Sequence, residues 1–235
     1  MKAIRNVLAC LILAIIAYAA VAQETPTSAG FLMVSGWYKD AGIQRQYTQA
    51  VGPVLKEHGY KGAVTGLLGS NLKVVEGDWL PGRMILLIEF PSAKDVKSFW
   101  WSEAYAKVKA IRATSSNLDV VQLDGVPGVI PAKTDKSAYL IFVGDVKDLP
   151  RFANEYGKYA PSVVEAHKGR FLVREGRAQM SLLEGSYPPG SVIVVEFPDT
   201  AALRSFWNSD EYKRLSEIRK STGIWSVVEI TPNAG

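Results

Sequence analysis

The sequence contains two histidines, His58 and His167, and each lies between a predicted helix and a predicted strand. Imidazole is the side chain best suited to proton transfer near neutral pH, so each is a candidate acid or base. A histidine at the end of a helix can instead cap the last carbonyl groups, which stabilises the helix by about 0.3–1 kcal/mol. The sequence leaves both interpretations open.

Two glutamates recur in the same way. Glu89 and Glu196 lie near the ends of predicted strands whose neighbouring residues on the same face are aliphatic. Partial desolvation of such a carboxyl raises its pKa, as a general base requires. The alternative is a structural salt bridge to Arg112 or Arg219 on the adjacent helix.

Two further glutamates, Glu76 and Glu184, precede a glycine in the loop before the third predicted strand. Polar loop residues on a rigid scaffold often bind ligands, although Glu-Gly followed by Pro-Gly is also ordinary turn chemistry. Several aromatic residues at helical spacing are candidates either for a pocket lining or for the core. These are Trp100, Trp101, Trp207 and Tyr212.

Several classes of chemistry have no support in the sequence. It has no glycine-rich phosphate loop, no serine in a nucleophile elbow and no spacing typical of metal ligands. The net charge of +4 is spread along the chain without a basic run, which argues against a nucleic-acid or membrane-surface site. We therefore expect no metal, no cofactor and no nucleic-acid partner.

An internal duplication positions these residues. Seven residues of the first half recur in the second half at the same mutual spacing: Phe90, Pro91, Phe99, Trp100, Ser102, Tyr105 and Arg112 return as Phe197, Pro198, Phe206, Trp207, Ser209, Tyr212 and Arg219. A repeat of this length is a whole domain. We predict one unit over residues 31–124 and a second over 138–231, joined by a Gly- and Pro-containing linker over 125–137.

Within each half, apolar runs and helical periods predict the order strand, helix, strand, strand, helix, strand. The predicted strands are 31–37, 60–68, 85–90 and 118–123 in the first half and 139–144, 170–174, 192–197 and 225–230 in the second. The first helices, near 44–57 and 148–166, contain Pro53 and Pro161, so we expect each to kink or restart there. Ser102 and Ser209 predict a second cap, where the following helix restarts.

The third predicted strands, 85–90 and 192–197, are apolar on both faces, so each must be covered on both sides. The helices of a ferredoxin-like unit cover only one face of its sheet. The other face needs a partner sheet, which the second copy supplies. We therefore predict an α+β fold in which two ferredoxin-like βαββαβ units pack sheet to sheet within one chain, and we expect a monomer.

Four segments resemble the DUF1330 family: His167-Lys-Gly-Arg170-Phe-Leu-Val-Arg174, Leu183-Glu184-Gly185, Val195-Glu196-Phe197-Pro198 and Trp207-x-Ser209-x-x-Tyr212. The resemblance covers nearly all of the second half and, more loosely, the first. It implies the dimeric α/β-barrel architecture, often with a small cavity. The first half has no arginine where Arg170 and Arg174 fall, so we expect a working site to use residues of the second half.

Residues 1–22 are predicted to form a signal peptide. Lys2 and Arg5 precede an apolar stretch that ends at Ala22 and is followed by polar residues. We expect cleavage after Ala22, a flexible leader over 23–30 and export to the periplasm or beyond, with no membrane association afterwards. An uncleaved anchor is the alternative, but spanning a bilayer takes roughly 20 apolar residues. Cys10 is the only cysteine, so the processed chain can form no disulfide.

Together these features predict a small apolar cavity between the two sheets that binds a small organic molecule and supports cofactor-independent acid–base chemistry. His167 and Glu196 are the predicted catalytic residues. The predicted ligand-binding residues are Arg170, Arg174, Glu184, Trp207, His58, Glu76 and Glu89. The rival hypothesis is a non-enzymatic envelope protein with a filled barrel and an exposed apolar patch on its helices, which contacts another protein.

Overall fold

The computed structural model describes residues 28–78, 84–186 and 190–232; the predicted signal peptide lies outside them. The elements of the first half are β1 (Gly30–Tyr38), α1 (Ala41–Glu57), β2 (Gly62–Leu67), β3 (Leu72–Glu76), β4 (Met84–Phe90), α2 (Ala93–Trp100), α3 (Glu103–Arg112) and β5 (Ser116–Asp124). Those of the second half are β6 (Ala138–Val146), α4 (Leu149–Arg151), a π-helical turn (Phe152–Gly157), α5 (Ala160–Ala166), β7 (Arg170–Gly176), β8 (Ser181–Glu184), β9 (Ser191–Phe197), α6 (Thr200–Asn208), α7 (Asp210–Ser221) and β10 (Gly223–Ile230).

The strands form two antiparallel five-stranded sheets that pack face to face. The strand order is β2-β4-β1-β5-β8 in the first sheet and β3-β10-β6-β9-β7 in the second. Helices cover the outer face of each sheet, because the outward residues of the strands cluster with helix residues. The predicted α+β arrangement of two units packed sheet to sheet is confirmed.

Each half also contributes one strand to the sheet of the other half, which the sequence did not predict. β3 of the first half pairs with β10, and β8 of the second half pairs with β5. Both strands are short, and each is stabilised by hydrogen bonds to the opposite repeat rather than to its own. The exchange ties the two repeats together on both edges of the sandwich.

Apolar side chains from both sheets fill the space between them. Ile85 and Leu87 of β4 meet a cluster that includes Val192 and Val194 of β9, and all four are almost fully buried. Burial of one such side chain stabilises the fold by about 1.5–3 kcal/mol. This packing explains why β4 and β9 are apolar on both faces: one face packs on helices and the other on the partner sheet.

The helices differ between the repeats. α1 continues through Pro53, so of the predicted kink or restart the restart does not occur in the first half. In the second half the equivalent stretch is divided into α4, the π-helical turn and α5, and Pro161 lies in the first turn of α5, where its missing N–H leaves no bond unmade. The restarts at Ser102 and Ser209 are confirmed.

No helix among the described residues is long and apolar enough to cross a membrane.

Candidate functional site

Two buried arginines at equivalent positions organise the helical layers. Arg112 ends α3, and Arg219 lies near the end of α7; they are 1% and 0% exposed. Arg112 donates to both carboxylate oxygens of Glu184 at 2.6 and 2.9 Å. Arg219 donates to both carboxylate oxygens of Glu76 at 2.7 and 2.8 Å. Because β8 and β3 are the exchanged strands, each arginine is paired with a carboxylate from the other repeat.

This pairing corrects the salt bridges expected for Glu89 and Glu196, which do not contact the two arginines. Glu196 follows Val192 and Val194 on the face of β9 that points between the sheets. The backbone N–H groups of Ala132 and Lys133 donate to it at 2.9 and 2.8 Å. The Tyr139 hydroxyl donates at 3.1 Å, and Arg170 Nε lies 3.5 Å away. The buried Glu196 carboxylate thus holds the segment between the repeats in place through hydrogen bonds to its backbone.

Glu89, the counterpart of Glu196, is held by a different group. Its Oε2 atom lies 2.5 Å from Lys133 Nζ, which also donates to the carbonyl of Lys61 at 2.8 Å. Lys133 has a left-handed backbone, with φ of +43°. One residue of the predicted linker therefore contacts both repeats, through its backbone to Glu196 and its side chain to Glu89.

His58 and His167 occupy the C-cap positions of α1 and α5. His167 Nδ1 donates to the carbonyl of Val163 at 2.8 Å, and His58 Nδ1 lies 3.1 Å from Ser98 Oγ. His167 also packs edge-on against Phe206, on the helical side of the second sheet. His167 and Glu196 thus lie on opposite faces of that sheet, and the structure does not bring the predicted catalytic pair together.

Two of the remaining predicted residues are arginines, and Arg170 has one contact besides its approach to Glu196. Arg170 donates to the carbonyl of Ile130 at 3.3 Å. The Arg174 guanidinium lies 4.9 Å from the ring centre of Phe171. The predicted site residues therefore do not form one site: the two exchanged glutamates pair with arginines, the other two glutamates contact the linker, and the histidines cap helices.

Trp207 packs against Phe142 and Tyr212, with ring centres 6.4 and 5.2 Å apart, as a core residue does. Within the described ranges, no group of three or more His, Cys, Asp and Glu side chains could hold a metal ion.

An apolar cavity of about 350 Å³ lies between the first sheet and its helices. Its walls include Leu32, Val34, Leu86, Leu118 and Val120, which are outward residues of β1, β4 and β5. The cavity therefore lies under the helices of the first half, and not between the sheets or in the second half as the sequence analysis expected. The reason is that the inter-sheet space is already packed.

Helix α1 forms the opposite wall of the cavity. Asp40 caps its start, accepting from the backbone N–H of Ile43 at 2.8 Å. Residues of α1 at helical spacing then face the cavity: Gln44, Tyr47, Thr48, Val51 and Leu55. This stripe is part polar at its N-terminal end and apolar at its C-terminal end, so the cavity has two chemically different ends.

The polar end is built from tyrosines and Arg112. The hydroxyls of Tyr47 and Tyr105 lie 3.3 Å apart, and Arg112 Nη2 donates to the Tyr105 hydroxyl at 3.0 Å. The Tyr38 ring lies 6.2 Å from that of Tyr47. Burial raises the pKa of Tyr38 and of Tyr105 well above its usual value, so both phenols stay protonated near neutral pH.

The same region of the second half is filled by larger side chains. Strand register aligns Val34 with Phe142, because they pair with Val120 and Val227. The same comparison aligns Ala63 with Phe171 and Leu118 with Trp225. At all three positions the second half has the bulkier residue. The remaining space there is about 160 Å³.

Aromatic contacts hold this second filling in place. Trp225 stacks on Phe152 of the π-helical turn, with ring centres 5.4 Å apart, and Phe152 packs on Tyr156 at 5.1 Å. The Arg219 guanidinium lies 5.4 Å from Phe142 and 5.5 Å from Trp225. The sequence analysis did not predict the open cavity. An alignment of the two repeats would have indicated it, because the first half has the smaller residue at each of these three positions.

Comparison with known proteins supports the fold. The structure of a "putative monooxygenase" from Fusobacterium nucleatum matches with a TM-score of 0.50 and 12% identity, over 89% of this chain and 96% of that chain. A "putative monooxygenase" from Lactobacillus acidophilus matches with a TM-score of 0.49 and 14% identity, over 87% of this chain and 93% of that chain. At 12% identity the Fusobacterium nucleatum structure indicates a shared fold only, in agreement with the dimeric α/β barrel that the sequence predicted.

No curated protein matches the sequence. The profile of the family described as "Domain of unknown function (DUF1330)" matches residues 29–126 and again residues 137–231. These two segments cover most of the chain and correspond to the two repeats. The chain therefore belongs to the DUF1330 family and carries its domain twice.

Proposed function

We propose that the protein binds a small, largely apolar organic molecule in the cavity between the first sheet and α1. The observation that carries the proposal is an apolar cavity of about 350 Å³ in which the hydroxyls of Tyr47 and Tyr105 and the guanidinium of Arg112 are grouped together. Ligand pockets are typically about 300–1,000 Å³, mainly apolar, with a few placed polar groups. This cavity has that composition and lies at the small end of that range.

The contrast with the second repeat strengthens the proposal. Protein interiors normally contain few voids larger than a water molecule. The second half fills the equivalent space with Phe142, Phe171 and Trp225, so the scaffold accepts a packed interior. The open space in the first half is therefore not imposed by the fold, and retention for a ligand accounts for it.

The proposal does not include acid–base catalysis by His167 and Glu196. These residues lie on opposite faces of the second sheet and outside the lining of the cavity. The groups at the polar end are Tyr38, Tyr47, Tyr105 and Arg112, which suit hydrogen-bond donation to a ligand.

The test is binding of 2-acetylnaphthalene, a compact apolar probe with one carbonyl group, measured by equilibrium dialysis. We expect saturable binding to the wild type and a loss of at least about tenfold in affinity for Leu118→Trp, which copies the second repeat. Ile224→Trp is the control, because it places the same side chain at an exposed position of β10. Wild-type affinity in a folded Leu118→Trp variant, or no saturable binding to the wild type, would contradict the proposal.

We also propose that the protein is exported and that residues 1–22 are removed. The proposal rests on the sequence pattern of a basic start, an apolar stretch and small residues before Gln23. Mass spectrometry of the protein recovered from a bacterial periplasm tests it. A mature chain that begins at Gln23 is expected, and an intact chain retained in the cytoplasm would contradict it.

A further inference from the structure

The cavity has one charged side chain in the part of its lining that the structure describes, the guanidinium of Arg112. The other polar groups of the lining are hydroxyls, the amide of Gln44 and the indole N–H of Trp100, which are neutral groups. Arg112 is already paired, because Glu184 takes one N–H from Nη1 and one from Nη2. Its charge is thus compensated by Glu184, although Arg112 borders the cavity.

Glu184 is ionised in this setting. Although burial alone would raise it, hydrogen bonds from Arg112 and Lys109 hold the pKa of Glu184 below its usual value. Lys109 Nζ lies 3.0 Å from Glu184 Oε2, but this side chain is one-third exposed, is screened by solvent and is not part of the cavity lining. Arg112 is the one charged lining residue among those described, and it is paired with Glu184. An anionic ligand in the cavity would therefore have no unpaired cation to bind.

The hydroxyl groups at the polar end leave a donor for a ligand. A guanidinium only donates, so the Tyr105 oxygen accepts from Arg112. The hydroxyls of Tyr105 and Tyr47 lie 3.3 Å apart, and their contact uses one of the two O–H protons. Arg112 Nε is also buried without a hydrogen-bond partner among the described residues. The polar end therefore presents donors and matches a ligand that accepts.

We infer that the cavity selects neutral molecules with an acceptor oxygen, such as a ketone or an ester, and that Glu184 of the second repeat makes it reject carboxylates. This inference rests on the proposed function. An ionised carboxylate that enters an apolar site loses its hydration and must gain a free cation in return. Here the cation is held by Glu184, whose own charge also repels an incoming anion. Glu184 acts through Arg112 and is therefore a positioning residue.

The experiment compares 2-acetylnaphthalene with 2-naphthoate, which share the ring system and differ in an acetyl group against a carboxylate. Equilibrium dialysis of the wild-type protein is expected to show at least about tenfold tighter binding of the ketone. In Glu184→Gln the Arg112 charge is released, so we expect this preference to fall by at least about fivefold, mainly through tighter binding of 2-naphthoate.

Glu76→Gln is the matched control, because it removes the equivalent carboxylate from Arg219 in the other repeat. It is expected to keep the wild-type preference for the ketone, so a general loss of stability is separated from a change in selectivity. Should Glu184→Gln fail to fold, the comparison of the two probes on the wild type still decides the charge preference.

The outcomes separate this inference from the proposed function. Binding of 2-naphthoate as tight as that of the ketone would overturn the inference and leave the proposed function standing. A folded Glu184→Gln protein with an unchanged preference would overturn the role of Glu184. Failure of both probes to bind would overturn the proposed function itself.

Discussion

The two helical layers of this protein share an arginine, a tyrosine and a carboxylate from the opposite repeat, yet in the described part of the chain the first encloses a cavity of about 350 Å³ beneath its helices and the second one of about 160 Å³. In the first layer Arg112 borders that cavity, and in the second Arg219 lies against the rings of Phe142 and Trp225. The difference comes from side-chain size at three equivalent strand positions. The two copies of one domain therefore differ in packing: the second is filled, and the first leaves the space in which we propose that a ligand binds.

The largest expected difference between the repeats is in the stability lost when the glutamate of an exchanged strand is removed, Glu76 of β3 or Glu184 of β8. Glu76→Ala leaves the fully buried Arg219 uncompensated, which should lower the free energy of unfolding by about 3–5 kcal/mol. Glu184→Ala should cost at least about 1 kcal/mol less, because water in the cavity can hydrate Arg112. Denaturant unfolding measures both. Equal losses would show that the cavity does not influence the first ion pair.

The second prediction concerns the packing of the second repeat. Trp225→Leu copies the first repeat and removes the ring that stacks on Phe152. The free energy of unfolding should fall by roughly 2–4 kcal/mol, because the surrounding strands and the π-helical turn cannot close the space fully. Leu118→Val, which changes the cavity wall of the first repeat, is the comparison and should cost less. A Trp225→Leu protein as stable as the wild type would contradict the account of a filled second layer.

The third prediction uses a buried carboxyl that occurs in one repeat only. Burial raises the pKa of Glu175 to about 7, partly opposed by the backbone N–H of Asp124, and its Oε2 atom has no hydrogen-bond partner among the described residues. Strand register aligns Glu175 with Gly66, where Leu72 and Ile230 occupy the space of a side chain. The folded state therefore binds a proton more tightly than the unfolded state does.

Stability should consequently be lost as the pH rises from about 4.5 to above 7, on the order of 1–3 kcal/mol. Glu175→Gln should remove most of this decline, because the amide does not ionise. The measurement is the free energy of unfolding at several pH values for both proteins. An identical pH profile for the variant and the wild type would show that Glu175 is not the group responsible.

The smallest predicted difference is between the two buried glutamates beside the linker. Glu89 relies on Lys133 Nζ, whereas Glu196 has two backbone N–H groups and the Tyr139 hydroxyl in addition to Arg170. Lys133→Ala should cost about 1–2 kcal/mol, and Arg170→Ala less than about 0.5 kcal/mol. Thermal unfolding checks both. A larger effect for Arg170→Ala would reverse the assignment.

The fold could be predicted because it depends mainly on a local pattern of apolar residues in the strands, and this pattern occurs in both repeats. Strands such as 85–90 are apolar on both faces, so both faces must be covered, and the helices of one unit cover only one of them. β3 and β8 were missed because each is short and pairs only with the other repeat. The Arg–Glu pairing was missed for the same reason: the carboxylate reaches Arg112 on an exchanged strand.

The position of the cavity depends on volume rather than on pattern. Val34 and Phe142 are both apolar strand residues and contribute equally to periodicity, but only the larger one fills the space under the helix. The site was predicted in the second repeat because that repeat contains residue types suited to acid–base chemistry, such as His167 and Glu196. The tyrosines beside Arg112 carry no motif and are brought together only by the packing of α1 on α3 and β1.

The most direct test of the central claim is a crystal structure of the protein soaked with 2-acetylnaphthalene. We expect the naphthalene rings to lie between Leu86 and α1, with the carbonyl oxygen within hydrogen-bond distance of Tyr47, Tyr105 or Arg112, and the second repeat to be unchanged. A probe bound between the two sheets or beneath α6 and α7, with the first cavity free of it, would contradict the account.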